Sequence, residues 1–243
     1  SRTVVGFFCG REWGDMDLHS REQNALLQEY FLDRREELHE HRDDPWSAAG
    51  PHSVSPFVPC ASGRIPEVLR AGRIGPESVL WDLGCGDGRV LHEAAALCGC
   101  RCVGVDIDAA CIRTAQEVAE ERGLDSLCEF LCCDVLRLKE GALRGGGLGE
   151  AVEARAPTCV LVFMTMKGVY HLRDWLRKEW EAGDFSVVTC VEALDDVFDP
   201  DDASTMFGAQ ELRWPVYRAH ETHGVFVVPP HQRTVEEWAR MEA

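Results

Sequence analysis

The chain has no run of eighteen apolar residues and no charged stretch followed by an apolar one at its start, so neither a membrane-spanning segment nor a secretory signal is visible. It opens on Ser1 rather than Met, which leaves room for a segment removed upstream. Basic residues are scarce: 25 Lys and Arg stand against 42 Asp and Glu, a formal net charge of −17. That balance argues against nucleic acid as the main partner, because phosphate binding is driven by cations that neutralise the backbone. A basic protein substrate is the more natural complement, although an acidic surface also simply keeps a chain in solution. Zinc-ligand spacing is missing as well. Of twelve cysteines, Cys98, Cys100 and Cys102 alternate and Cys132 adjoins Cys133, but no C-x-x-C pair or neighbouring His completes a metal pattern. The rest fall in predicted strands and helices of a domain large enough to do without disulfides. Buried, reduced thiols are expected, and with them an intracellular, reducing compartment: cytoplasm, nucleus or mitochondrion.

The dinucleotide fingerprint G-x-G-x-x-G, which rests a pyrophosphate on a helix N-terminus, is absent too. In its place residues 79 to 88 read Val-Leu-Trp-Asp-Leu-Gly-Cys-Gly-Asp-Gly, an apolar run passing through Asp82 into Gly84, Gly86 and Gly88. A helical pattern follows (Val90, Leu91, Ala94, Ala95, Leu97). Strand, glycine turn and helix make the first unit of a doubly wound sheet, whose carboxyl edge binds ligands. The glycines admit a ligand close to the backbone. Acids at Asp82 and Asp87 suit a cationic ligand without phosphate. Farther on, Cys102 to Asp106 is a second buried strand ending in an acid, where such folds set a carboxylate on ribose hydroxyls. After a helix over about 109 to 122, Cys128 to Asp134 is a third strand ending the same way.

Three such signals in this order resemble the class I, seven-strand, S-adenosylmethionine (SAM) dependent methyltransferases over roughly residues 56 to 230. The resemblance implies SAM as cofactor, with Asp106 on the ribose and Asp134 facing the adenine amino group. It also implies an α/β fold: a doubly wound, mainly parallel seven-strand sheet with a C-terminal antiparallel hairpin. Just ahead of the glycine loop stands Pro56-Phe57-Val58-Pro59, similar to a subgroup of bacterial methyltransferases and eukaryotic relatives that includes mitochondrial protein lysine methyltransferases. In that subgroup the segment lies beside SAM, which adds Phe57 to the cofactor set. Here Phe57 stands where Tyr is usual, and Cys60 where a small hydroxyl residue is usual.

Residues 1 to 55 read as an N-terminal extension and 56 to 243 as the methyltransferase domain. Within the extension, Ser20 and Gln23 form a capping box, and Leu27, Tyr30, Phe31 and Leu38 recur at helical spacing, so 20 to 41 is predicted as an amphipathic helix. Residues 43 to 55 read as a linker. Gly141 to Gly149 is glycine-rich and predicted as a flexible surface loop. A fourth strand over 158 to 164 ends at Phe163, Met164, Thr165 and Met166, an apolar wall with one hydroxyl. Many enzymes that methylate planar amide or exocyclic nitrogens carry Asn-Pro-Pro-Tyr or Asp-Pro-Pro-Tyr here, and this chain does not. A helix over 168 to 180 leads to a fifth strand, 185 to 191, ending at Glu192, beyond which Asp195, Asp196, Asp199, Asp201 and Asp202 crowd together without the Gly and closing Glu of a calcium loop. Residues 211 to 218 and 224 to 228 read as the closing hairpin, with Pro215 marking an edge or a bulge and His220 and His223 in an exposed turn.

The chemistry implied is displacement at a sulfonium methyl, in which alignment and water exclusion matter more than an acid/base pair. The cofactor set is Phe57, Asp82, Gly84, Gly86, Gly88, Asp106 and Asp134, with no metal; Thr165 and Glu192 are the catalytic candidates. Methylation of a protein lysine is the leading expectation. A small-molecule methyltransferase and a non-catalytic SAM-binding partner subunit are the alternatives, and the oligomeric state is open.

Overall fold

In the computed structural model, residues 7–8, 11–12, 54–55, 57–144, 156–191, 194, 214–220 and 224–241 are described. The helix expected over 20 to 41 and nearly all of the linker lie outside them. Ahead of that region, Phe7–Phe8 and Arg11–Glu12 pair as two short antiparallel strands.

Seven strands form one sheet: β1 (Val79–Leu83), β2 (Arg101–Asp106), β3 (Cys128–Cys132), β4 (Cys159–Val162), β5 (Ser186–Cys190), β6 (Tyr217–His220) and β7 (Val225–Val228). Their order across the sheet is β3-β2-β1-β4-β5-β7-β6. The first five are parallel, and β7 runs antiparallel to both β5 and β6. The expected architecture is therefore present, closing hairpin included. β6 is the edge strand, with a register shift between Arg218 and His220, in keeping with Pro215 just ahead of it. His220 is the last residue of β6 and pairs with Val225, so it does not lie in the turn predicted for it. His223 is outside the described residues.

Central strands are buried on both faces, which is why β1, β4, β5 and β7 are near-continuous apolar runs. Alternation divides their side chains between two cores. Leu80, Leu161, Val188 and Val227 pack against α1 (Ile65–Ala71), α2 (Arg89–Cys98) and α3 (Ala109–Glu121). Trp81, Val160, Val187 and Val228 pack on the other face against Val169, Leu172, Leu176 and Trp180 of α4 (Met166–Ala182). Leu176 is fully buried there, and cutting it to Ala removes about 2–5 kcal/mol.

Helix ends follow local chemistry. α2 runs from Gly88 to Gly99, both left-handed, and the Gly99 N–H closes the last turn on the Ala95 carbonyl. Asp108 caps α3 by accepting from the N–H groups of Ala110 and Cys111. Thr234 and Glu237 cap the short α5 (Val235–Arg240) reciprocally.

The glycine-rich insertion departs from its sequence reading at its start. Gly141 and Leu143 donate their N–H groups to the two carboxylate oxygens of Glu179, at 2.5 and 3.1 Å, and Arg144 lies 3.6 Å from the same carboxylate. A fully buried acid on α4 thus anchors residues 141 to 144, and Ala142 and Leu143 are buried. Sequence pattern missed this because the anchor is far away in the chain; 145 to 149 lie outside the described residues. The eleven described cysteines are free thiols and nine of them are buried, as expected.

Candidate cofactor site and its surroundings

Chain reversal at the end of β1 demands positive φ three times, at Gly84 (90°), Gly86 (54°) and Gly88 (75°). The turn is also closely packed. A Cβ on Gly86 would fall 2.4 Å from the Phe57 ring, and one on Gly88 2.7 Å from the Phe130 ring and 2.9 Å from Ala115. Backbone bonds tie the loop to the neighbouring strand, because Gly84 and Cys85 both donate to the Val105 carbonyl, at 2.8 and 3.0 Å.

Asp106, at the end of β2, completes that tie. One of its carboxylate oxygens accepts from the Gly86 N–H at 2.8 Å and the other from the Asp108 N–H at 2.9 Å. Burial raises its pKa above the ordinary range and these backbone bonds lower it in turn. A carboxylate has about four acceptor positions, and the residue stays partly exposed, so lone pairs remain for a vicinal diol. Asp134, two residues past β3, accepts from the Leu136 N–H at 2.9 Å and lies 3.4 Å from the Arg137 guanidinium.

Asp82 and Asp87 behave differently. Asp87 is gripped by Arg89, whose Nε and Nη2 donate to it at 3.0 and 2.6 Å, while Arg89 Nη1 reaches the Cys60 carbonyl at 3.4 Å. Asp82 is 3 % exposed, and its Oδ1 has no hydrogen-bond partner among the described residues. Desolvation, then the neighbouring charges of Asp106 and Asp87, push its pKa up to about 8. At neutral pH this buried carboxyl therefore keeps its proton, and its unpartnered oxygen beneath the glycine cradle suits a ligand that brings a hydrogen-bond donor.

Phe57 belongs to a strap that crosses the carboxyl edge of the sheet. At its start Ser55 Oγ accepts from the Thr165 N–H at 3.0 Å, and the Thr165 hydroxyl donates to the Val54 carbonyl at 3.3 Å. At its end Cys60 is buried and held by Arg89. Thr165, proposed from sequence as catalytic, thus spends its hydroxyl proton on fastening the strap. Glu192 lies outside the described residues. Sequence reading missed Arg89, although its place two residues after Asp87 was a usable signal, and it missed Ser55, whose partner is remote in the chain and left no signal at all.

The strands and turns so assembled line one edge of the sheet with a glycine turn, the buried Asp82, the partly exposed Asp106 and the polar end beyond β3. A family profile described as "Methyltransferase domain" matches residues 80–143, a span running from β1 past Asp134. A protein-lysine N-methyltransferase of Saccharolobus islandicus (strain REY15A) is 33% identical over 70 residues, 28% of this chain and 44% of that protein. The matching stretch thus spans less than half the length of that curated relative. An RNA methyltransferase from Salinibacter ruber, solved with S-adenosyl-L-homocysteine, shares the fold at a TM-score of 0.51 and 21% identity, over 74% of this chain and 99% of that one. Residues 80–143 thus match a methyltransferase-domain profile, and the sheet order around them is that of the class I, SAM-dependent methyltransferase fold.

Proposed function

We propose that this chain transfers the methyl group of SAM to the side-chain amine of a lysine in a protein substrate. The observation that carries the reading is the contrast along the carboxyl edge: acids at the ends of β1 and β2 and beyond β3, but after β4 Phe163 with the Arg64 guanidinium over its ring, the buried Met164, and Thr165. A planar amide or base would call for hydrogen-bonding groups in that place, whereas an amine on a hydrocarbon stem needs an apolar one. Partial similarity to a protein described as a protein-lysine N-methyltransferase supports the same choice.

The cofactor, when bound, supplies an already activated methyl group on a sulfonium. The chain's residues bind and orient. Asp106 orders the loop through Gly86 and keeps lone pairs for the ribose; Asp134 would accept from the adenine amine. Asp82 would offer its unpartnered oxygen to a donor of the cofactor. The strap from Val54 to Cys60 excludes water from above, held by Thr165 at one end and Arg89 at the other. A lysine must arrive as the neutral amine to attack in line, and an apolar approach favours that form. Rate then comes from proximity and orientation. Thr165 acts through the strap in this scheme, and Glu192 is retained as a residue that would position the acceptor from the end of β5.

We extend the reading to a basic protein partner, supported by the net charge of −17, and to a reducing compartment, supported by the free thiols. Labelled-methyl transfer from SAM into a cell lysate, followed by mass spectrometry, tests it. Label on lysine side chains is expected. Label confined to metabolites would move the assignment to a small-molecule methyltransferase, and SAM binding with no transfer at all to a non-catalytic subunit.

A further inference from the structure

Five large apolar side chains are exposed among the described residues, and two of them, Val58 at 55 % and Val191 at 52 %, rise from tightly fixed backbone at the carboxyl edge of the sheet. Val191 directly follows β5 and has φ of 71°. A β-branched residue fits the left-handed region badly, and Gly, Asn or Asp would sit there at little cost. The conformation is enforced by the hairpin opposite. Val191 donates its N–H to the Gly224 carbonyl at 2.8 Å, and a Cβ built on Gly224 would lie 3.5 Å from the Val191 Cα. The chain leaves the sheet at this point with its side chain turned to solvent. Strain held in this way, for a side chain that packs against little, points to a use outside the folded core.

Val58 is fixed by other means. The Phe57 ring beside it lies against Gly86, Pro59 locks the following φ, and Cys60 is buried with its carbonyl on Arg89. The two valines belong to one neighbourhood. The segment that carries Val58 is tied to the end of β4 on both sides of it, by Ser55 on the Thr165 N–H at 3.0 Å and by the Arg64 guanidinium 5.5 Å from the centre of the Phe163 ring. β4 runs between β1 and β5, so the ends of these three strands form one strip, next to the cofactor loop and opposite the ribose acid.

We infer that Val58 and Val191 form an apolar collar at the acceptor side of the site, closing on the methylene stem of the incoming lysine and stripping water from its amine. The inference rests on the lysine reading above and deepens it by naming residues that select the acceptor. An acceptor nitrogen on a flexible hydrocarbon stem buries methylenes against the collar. A planar amide or a charged head arriving without a stem would be desolvated there with no compensating hydrogen bond.

Initial rates of labelled-methyl transfer into heat-treated whole-cell protein extract test this, measured at saturating SAM against extract concentration. The variants are Val58→Ser, Val191→Asn and Val191→Gly, the last two tolerating positive φ. For each, the half-saturating extract concentration should rise about fivefold or more, while SAM affinity by calorimetry stays within about twofold. Val191→Gly and Val191→Asn should also melt above the wild type, so that activity and stability move in opposite directions. A higher melting temperature with unchanged half-saturation would reduce Val191 to a structural oddity and overturn the collar. A loss of SAM affinity would put both valines on the cofactor side and overturn it equally. If the wild type labels lysines and the variants match it, only the collar falls. If the wild type labels no lysine, the lysine reading falls and takes the collar with it.

Discussion

The two halves of the sheet edge differ in the side chains they carry. From β1 to β3 the strands lead to acids that are fixed by backbone N–H groups, by a guanidinium or by burial: Asp82, Asp106 and Asp134, with Asp87 in the loop. From β4 to β5 the described residues at the same edge are Phe163, Met164, Thr165 and Val191, with no carboxylate among them. In the proposed reading, a cationic, many-donor cofactor would be held by the first set, whose geometry is fixed by the fold. An amine that must shed its proton to react is better received by apolar groups, because burial disfavours the charged form. The described acids thus cluster on one half of the edge, while the other half carries Phe163 with the Arg64 guanidinium over its ring.

The contrast is broken most drastically from the cofactor half. Gly88→Val adds a branched side chain at φ of 75°, into the Phe130 ring and Ala115. Strain and overpacking together should cost about 3 kcal/mol or more, lowering the melting temperature by roughly 6–12 °C for a domain of this size and abolishing SAM binding. Scanning calorimetry decides it, and a shift near zero would mean that the loop is far softer than its contacts imply. Asp106→Ala comes next. It strands the N–H groups of Gly86 and Asp108 and removes the carboxylate proposed to accept from the ribose, so SAM should bind about 10 to 100 times more weakly by titration calorimetry.

Asp82 sharpens the comparison through pH. Its pKa in the fold is about 8 against an ordinary 3.8, so between these values the folded chain holds a proton that the unfolded chain releases. Its contribution to stability is complete below the lower value and is lost as pH rises toward the upper one. Asp82→Asn is neutral throughout. The melting temperature of the variant minus that of the wild type should therefore climb between pH 5 and pH 8.5, and a flat difference would mean that Asp82 ionises freely. His92, buried with its pKa lowered to about 4 from 6.5, has the opposite sign, because its contribution is lost as pH falls through that window. It is present in both proteins and leaves the difference unchanged.

The cofactor half was legible in the sequence for a physical reason. Glycines at positive φ and acids closing buried strands are local demands, so Gly84, Gly86, Gly88, Asp106 and the strands leading to them could be read from a few consecutive residues. What the sequence hid is what distant segments do to one another. Nothing near Thr165 announces that its hydroxyl will fasten Val54, nothing in a glycine-rich run announces Glu179 on a later helix, and Val191 looks like an ordinary strand residue until Gly224 forces its backbone over. Phe57 was found only because the prolines around it resembled a known segment, and the structure then laid its ring against Gly86.

The smallest expected effect concerns the acids beyond β5. Asp195, Asp196, Asp199, Asp201 and Asp202 lie outside the described residues, so the expectation rests on their clustering in sequence after β5, at whose end the acceptor is proposed to bind, and on the net charge of −17. Charges of this kind act on a lysine-rich partner at a distance, accelerating encounter without binding any one atom tightly. Salt screens such forces over about 8 Å at physiological ionic strength. Replacing all five with Asn should raise the KM for a basic protein by a few-fold and flatten its salt dependence, while kcat and SAM affinity stay near wild type. Titrating activity against sodium chloride separates this from the collar. Loss of the acids should matter most at low salt and fade as salt rises, whereas loss of an apolar contact should persist at every concentration. Turnover that ignores both salt and these substitutions would mean that the acceptor carries no net positive charge, and an uncharged metabolite would then replace the basic protein as the substrate.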